Sequence, residues 1–284
     1  AAHLAYRLNG EVISADSRQV YRRMNIGTGK DYSDYVVNDT AIPFHLIDIA
    51  EPGYKYSLFE YQRDFYRTYQ DVVARKKMPL LCGGSGLYID AVAHKYRLDE
   101  VPVDENLRHE LQGKSLSDLK KILSQLKTLH NQTDTDTVEH ALRALEIEYF
   151  YRDHPEKKFL PDLSILYLGI IYERETERKR ITERLYKRLQ QGMVAEVQNL
   201  LESGISAESL TYYGLEYRYI TLYLTGKMSY DSMMAKLNTA IHQFSKRQRT
   251  WFRKMEREGI QIHWINGETP LDEKIESALQ LINR

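Results

Sequence analysis

Four strand-length apolar runs constrain this chain more than any other feature. They are "EVISA" (11–15), "LLC" (80–82), "SILYLGII" (164–171) and "IQIHWIN" (260–266), with long segments of helical character between them. Buried strands alternating with helices predict an α/β fold with a mainly parallel sheet. "PFHLIDI" (43–49) adds a further short strand, and "EPGYKY" after it a loop. Open sheets of this kind bind ligands at the carboxyl ends of their strands. The residues just beyond each run are therefore the first place to look for a site.

The helices have readable ends. "AAHLAYRL" reads as the last turns of a helix closed by Asn9-Gly10. Ser57 and Glu60 form a capping box. Beyond it Leu58, Tyr61, Phe65, Tyr69 and Val72 share one face, and Pro79 is expected to stop that helix. Residues 104–150, about 174–203 and about 217–254 are mostly helical, as is the tail. The helical stretch between the third and fourth runs is too long for one crossover. It predicts a core made of residues 1–180 and 241–284, with a helical insertion at 181–240.

Composition excludes several classes. Lys+Arg and Asp+Glu are both 40, so any nucleic-acid surface is a local patch. The single cysteine, Cys82, rules out a disulfide framework and a cysteine-based zinc site. The nine histidines show no metal-ligand spacing. No apolar run is long enough to span a bilayer, and the first residues lack the apolar stretch of a signal peptide. The expectation is a cytoplasmic, soluble monomer.

Three groups of residues carry chemistry. Asp16 ends the first strand beside Ser17, Gln19 and Tyr21, where hydrogen-bonding groups can hold a heterocycle while a carboxylate takes a proton. A capped turn explains the same residues equally well. "CGGSGLY" (82–88) can turn sharply and aim several N–H groups at one anion. A helix starting at Leu87 would add its N-terminus, and Ser85 would either bond a phosphate oxygen or cap that helix. The third is "IHQFSKRQRTWFRK" (241–254). No acid falls between Asp231 and Glu256, while Lys236, Lys246, Arg247, Arg249, Arg253 and Lys254 are basic and Trp251 and Phe252 interleave. That is a candidate RNA-backbone surface or a solvated helix face. "TYYGLEYRY" (211–219) offers either base stacking or packing at a seam.

In order along the chain, "GEVISADSRQVYRRMNIGTGK", "FHLIDI", "CGGSGLYIDA", "RALEI" and "KRQRTWFRK" resemble the tRNA dimethylallyltransferase (tRNA isopentenyltransferase) family over nearly the whole length. The resemblance implies a P-loop-kinase-like core. It implies transfer of a dimethylallyl group from dimethylallyl diphosphate to N6 of the adenosine 3′ of the anticodon, with Mg2+ as cofactor and the tRNA anticodon stem-loop as partner. By resemblance Asp16 is the general base, and Ser17, Arg18 and Gln19 recognise the base. Ser85, where the family usually has Thr, lies beside the diphosphate, and Arg108 neutralises it. Glu139, His140, Ala141, Leu142 and Arg143 form one tRNA-contacting segment. Lys246, Arg247, Gln248, Arg249, Thr250, Trp251, Phe252 and Arg253 form the other.

The sequence departs from the family in places. "TVEHALRALE" has Thr137 for Asn and His140 for Arg, and "YYGLEY" keeps Gly214 but loses the basic residue after it. The family's G-x-x-x-x-G-K-[ST] loop does not occur in these 284 residues. The expectation is that the natural protein is longer and that the 284 residues alone bind dimethylallyl diphosphate poorly. Prenyl transfer to free adenine nucleotides, a P-loop nucleoside or small-molecule kinase and a non-catalytic tRNA-binding fragment remain the alternatives.

Overall fold

The computed structural model describes residues 1–127, 135–156 and 159–283. Helix α1 (Ala2–Arg7) leads into strand β1 (Gly10–Ser14), followed by the short strands β2 (Val36–Val37), β3 (Thr40–Ala41) and β4 (Phe44–His45). Next come α2 (Leu58–Ala74), β5 (Met78–Cys82) and α3 (Gly86–Ala93). Helices α4 (Glu105–Glu110), α5 (Leu116–Leu126) and α6 (Val138–Asp153) precede β6 (Tyr167–Ile171). The long helical stretch is α7 (Arg174–Gln190), α8 (Met193–Glu202), α9 (Ala207–Tyr212), α10 (Leu215–Leu224) and α11 (Tyr230–Arg257). Strand β7 (Ile262–Asn266) and α12 (Leu271–Ile282) complete the chain.

All four strands foreseen from the apolar runs form, and they pair in parallel. Strand β1 is central, with Val12 opposite Phe44 on one side and residues Gly10 to Ser14 opposite Met78 to Cys82 on the other. Every residue of β1 is buried, as expected of a strand covered on both faces. Strands β6 and β7 form a second parallel pair. A cluster of Leu4, Ile265 and Ala278 with Leu80 and Leu168 joins β5, β6 and β7 to α1 and α12.

Two local expectations need correction. Helix α2 has both legs of its capping box, but Pro79 does not end it. The helix stops at Ala74, where Arg75 caps it and Lys76 turns the chain at φ +57°. Pro79 instead lies inside β5, opposite Glu11. It fits there because β5 is at the edge of its three-stranded sheet. Helix α3 begins one residue earlier than foreseen, at Gly86, and Ser85 occupies the cap position without a side-chain capping bond.

The chain divides into two compact units, Ala1–Tyr96 with Pro161–Arg284, and Arg97–Leu160. In the first, helices α7 to α11 pack around the segment that follows β1. Val20, Tyr21 and Met24 share a core with Leu185, Met193, Val197, Tyr213, Tyr217, Ile220 and Leu237. The second has its own core of Leu111, Leu119, Leu123, Ala141, Ala144 and Leu145. Among the described residues no helix is long and apolar enough to cross a membrane.

Candidate active site at the carboxyl end of β1

Strand β1 delivers Asp16 two residues beyond its end, and β5 delivers the glycine-rich turn beside it. Ala15 N–H donates to Cys82 O at 2.8 Å, and Ser85 N–H donates to Ala15 O at 3.1 Å. Ser85 Oγ accepts the Ser17 N–H at 2.9 Å and lies 3.2 Å from Ser17 Oγ. Two motifs 68 residues apart in sequence thus meet through backbone and hydroxyl bonds. Gly83 makes the approach possible, since a Cβ there would lie 2.3 Å from the carbonyl of Ala15. The Ser85 hydroxyl bonds to Ser17 and makes no capping bond to helix α3, whose Tyr88 N–H donates instead to Ser85 O at 2.9 Å.

Asp16 Oδ1 accepts the N–H groups of Arg18 at 2.8 Å and Gln19 at 3.4 Å. These bonds favour the carboxylate, but burial outweighs them and raises the Asp16 pKa above the usual range. A carboxylate tuned upward is better matched to taking a proton near neutral pH. Gln19 donates its side-chain amide to Thr28 O at 3.3 Å and Gly29 O at 3.2 Å. Tyr21 is fully buried, accepts the Tyr56 N–H at 3.1 Å, and has its pKa pushed up to about 12 by burial. Arg22 and Arg23 are exposed and pair with Glu51 at 3.1 and 3.8 Å.

The basic helix docks on the same turn. Gln248, on α11, donates to Gly84 O at 2.9 Å. The Trp251 indole lies against Gly86, where a Cβ would come within 2.3 Å of Cδ1, and Lys254 sits 5.2 Å from the indole ring. The Trp251 Nε1–H is buried and has no partner among the described residues. Arg249 forms an ion pair with Glu177 and donates to Tyr172 O at 3.1 Å. Phe252 packs edge-on to Trp264 at 6.3 Å, and Arg247 lies 5.6 Å from the Phe244 ring. Thr250 bonds back to Lys246 O at 3.0 Å. Arg253 has no ion-pair partner among the described residues. With Thr250, Glu256 and Arg257 it lines an open cleft of about 620 Å³. The acid-free segment therefore divides into residues that seat the helix and residues that remain available to a ligand.

Within the unit Arg97–Leu160, Arg108 and Arg143 converge on the buried carboxylate of Glu146, at 2.6 and 2.8 Å. Burial raises the Glu146 pKa, but the two arginine hydrogen bonds outweigh it and hold the group below its usual value. Arg108 also reaches Glu139 at 3.2 Å, and Arg143 donates to Val101 O at 2.6 Å. His140 N–H is capped by Thr137 Oγ1 at 3.1 Å, while Ala141 is fully buried and Leu142 packs on the core. Of that segment, Glu139 and His140 are the exposed side chains.

Sequence reasoning missed several residues. Arg184, Arg188 and Glu216 line a small enclosed pocket with Ile181, Leu185, Met193 and Ile241. Burial lowers the pKa of Arg184 and raises that of Glu216. The one signal was the four-residue spacing of Arg184 and Arg188 on the face of Leu185, hidden in a densely charged helix. Glu196 was also missed. Of the tyrosines in 211–219, Tyr213 and Tyr217 are core residues, whereas Tyr212 is 51% exposed, with the Arg18 guanidinium 5.5 Å from its ring centroid.

A parallel-sheet core with a polar turn meeting a glycine-rich turn at its strand ends defines an α/β ligand-binding enzyme scaffold, and known proteins narrow the class. Residues 19–255 match the family model described as IPP transferase, and the chain belongs to that family. It is 55% identical to tRNA dimethylallyltransferase 2 of Bacteroides fragilis over 281 residues, 99% of this chain and 92% of the relative. A second relative, tRNA dimethylallyltransferase 2 of Porphyromonas gingivalis, is 54% identical over 282 residues, covering 99% and 93%. The full-length tRNA isopentenylpyrophosphate transferase of Bacillus halodurans superposes with TM-score 0.71 at 29% identity, covering 99% of this chain and 90% of that one. A eukaryotic dimethylallyltransferase acting on tRNA shares the fold, with TM-score 0.78 at 20% identity over 100% and 76% of the two chains. The core is accordingly of the P-loop-kinase-like type.

Proposed function

We propose that this chain is a cytoplasmic tRNA dimethylallyltransferase, moving a dimethylallyl group from its diphosphate to N6 of the adenosine 3′ of the anticodon. The observation that carries the reading is the meeting of the Asp16 turn with the 83–86 turn through Ser17 and Ser85, in a chain of this family. Asp16 takes a proton from the adenine amine as N6 forms its bond to the allylic C1, and the C1–O bond breaks to release diphosphate. The carboxylate matters because an aromatic amine is a poor nucleophile until deprotonation accompanies attack.

The Ser85 hydroxyl and the N–H groups of Gly84 and Gly86 are the groups offered to the charge that develops on the diphosphate, the Ser85 N–H being bonded to Ala15 O. By family resemblance Arg108 neutralises the leaving group; within its own unit it pairs with Glu146 and Glu139. The Ser17 and Ser85 hydroxyls are oxygen donors of the kind that complete a Mg2+ shell made largely of phosphate and water. When bound, Mg2+ neutralises charge on the diphosphate. The anticodon stem-loop is held by the 139–143 segment, by the helical region 181–240 and by the free cations of α11, with the acceptor base out of its stack.

The test is incorporation of labelled dimethylallyl by the full-length protein, offered tRNA or AMP, with and without ATP. Incorporation into tRNA without ATP supports the reading. Preference for AMP identifies a free-nucleotide prenyltransferase, phosphoryl transfer from ATP with no dimethylallyl incorporation identifies a kinase, and tRNA binding with no transfer of either kind identifies a non-catalytic binder.

A further inference from the structure

The turn at residues 24–29 is built around a carboxylate from another element. Glu196, on α8, accepts the backbone N–H groups of Asn25 at 2.8 Å, Ile26 at 2.7 Å and Gly27 at 3.0 Å. It also accepts the Tyr217 hydroxyl at 2.6 Å. Successive N–H groups converging on one anion form a backbone nest, here filled by the chain's own side chain. The next two carbonyls, Thr28 O and Gly29 O, both receive the Gln19 side chain. Carbonyls only accept, so the Gln19 atom between them is the amide NH2, and the orientation of that amide is determined. Its Oε1 has no partner among the described residues. Gln19 belongs to the same turn as Asp16, whose carboxylate accepts the Gln19 N–H.

We propose that Glu196 is a positioning residue for choosing the acceptor base. It fixes the 25–29 turn, the turn holds the Gln19 NH2 on Thr28 O and Gly29 O, and Oε1 is left as an acceptor-only group on the segment that carries the general base. This rests on the reading of the site as one that receives a tRNA adenosine. Adenine presents an exocyclic amine where guanine presents a carbonyl. An oriented Oε1 accepts a hydrogen bond from the amine and opposes the carbonyl. If the turn shifts, the amide can flip and present NH2, which suits guanine, so discrimination falls while affinity for the RNA backbone stays.

Anticodon stem-loops carrying A or G at the acceptor position, bound to the full-length protein, supply the test. The wild type binds the A form more tightly. In Glu196→Ala the ratio of A to G affinities falls by about tenfold, the scale of one misplaced hydrogen-bonding group. Glu196→Gln, which keeps an acceptor for part of the nest, recovers part of the ratio. Gly27→Ala displaces the same turn with the Glu196 side chain itself unaltered, because its Cβ would meet the Tyr217 ring at 2.7 Å. It reproduces the loss and carries the test if Glu196→Ala fails to fold. A merely structural role lowers affinity for both stem-loops alike and leaves the ratio intact. That result in a folded variant overturns the proposal, as does a wild type that transfers prenyl groups without preferring A. A wild type that neither binds a stem-loop nor transfers a prenyl group refutes the functional reading, and the proposal with it.

Discussion

Gly86→Ala is predicted to destabilise the protein although the backbone would favour it. Gly86 is the first residue of α3 and does not have positive φ. In a helix Ala is preferred to Gly by up to about 1 kcal/mol, so local preference alone predicts a gain. The opposing effect is steric. The new Cβ would lie 2.3 Å from Trp251 Cδ1 and 2.6 Å from Cγ and Nε1. These are atoms of a rigid ring, so the indole cannot yield by a small torsion and α11 must lift from the glycine turn. Overpacking of this kind costs about 1–3 kcal/mol. Overlap at 2.3 Å with a rigid ring puts the cost at the upper end, so after the propensity gain about 1–2 kcal/mol remains, which for a unit of this size lowers Tm by about 2–8 °C. Calorimetry or thermal circular dichroism of Gly86→Ala, Trp251→Ala and the double variant forms a cycle. In the Trp251→Ala background the Gly86 substitution should be neutral or mildly stabilising. A neutral or stabilising Gly86→Ala in the otherwise unaltered protein would refute the seating of the basic helix on this turn.

The two arginines one turn apart on α11 should behave differently. Arg253→Ala flattens the log–log salt dependence of tRNA binding by about 1, whereas Arg249→Ala lowers Tm and leaves that slope almost unchanged, because Arg249 is already committed to Glu177. Equal slope changes would contradict the division. Tyr212→Ala should weaken tRNA binding, by at most the about 1–3 kcal/mol of one stacked base, with Tyr212→Phe close to wild type by fluorescence anisotropy. The pH dependence of stability rests in part on Glu11, whose pKa is held below the usual carboxylate range by the Arg75 hydrogen bond and by His45, against burial. Its folded pKa is below its unfolded one, so its contribution is present above about pH 4.5 and is lost on acidification through the lowered value. In Glu11→Gln the acid limb of a Tm-against-pH curve should flatten, and an unchanged limb would place the ion pair outside the stability of the fold.

The parts of the fold legible in the sequence are those set by local periodicity. The apolar runs around Val12, Leu80, Ile170 and Ile265 became parallel strands, although only the first is buried throughout and Ile170 is 51% exposed, and Ser57 with Glu60 became a capping box. Pro79 misled because proline ends helices and also tolerates strand edges, and its sequence context does not distinguish the two. The candidate site was legible where one short segment carries it, as at Asp16 to Gln19 and 83–86. Residues that act across elements left little trace. Glu196 and Glu216 look like ordinary helix carboxylates until the fold brings one to a turn 170 residues away and buries the other. Arg249 and Arg253 look identical on a helical wheel, and only the position of Glu177 on α7 separates them.

The claim that Asp16 removes the proton from the acceptor amine is tested most directly by single-turnover prenyl transfer in full-length Asp16→Asn, with tRNA affinity measured on the same preparation. Asparagine preserves the acceptor for the Arg18 and Gln19 N–H groups, so the turn and its RNA contacts should persist. The predicted result is a rate lower by about 10²–10⁴-fold with affinity little changed. The wild-type rate should rise with pH through the raised Asp16 pKa, a limb absent from the residual activity of the variant. A variant that turns over at near the wild-type rate, or that retains the same pH limb, would contradict the account.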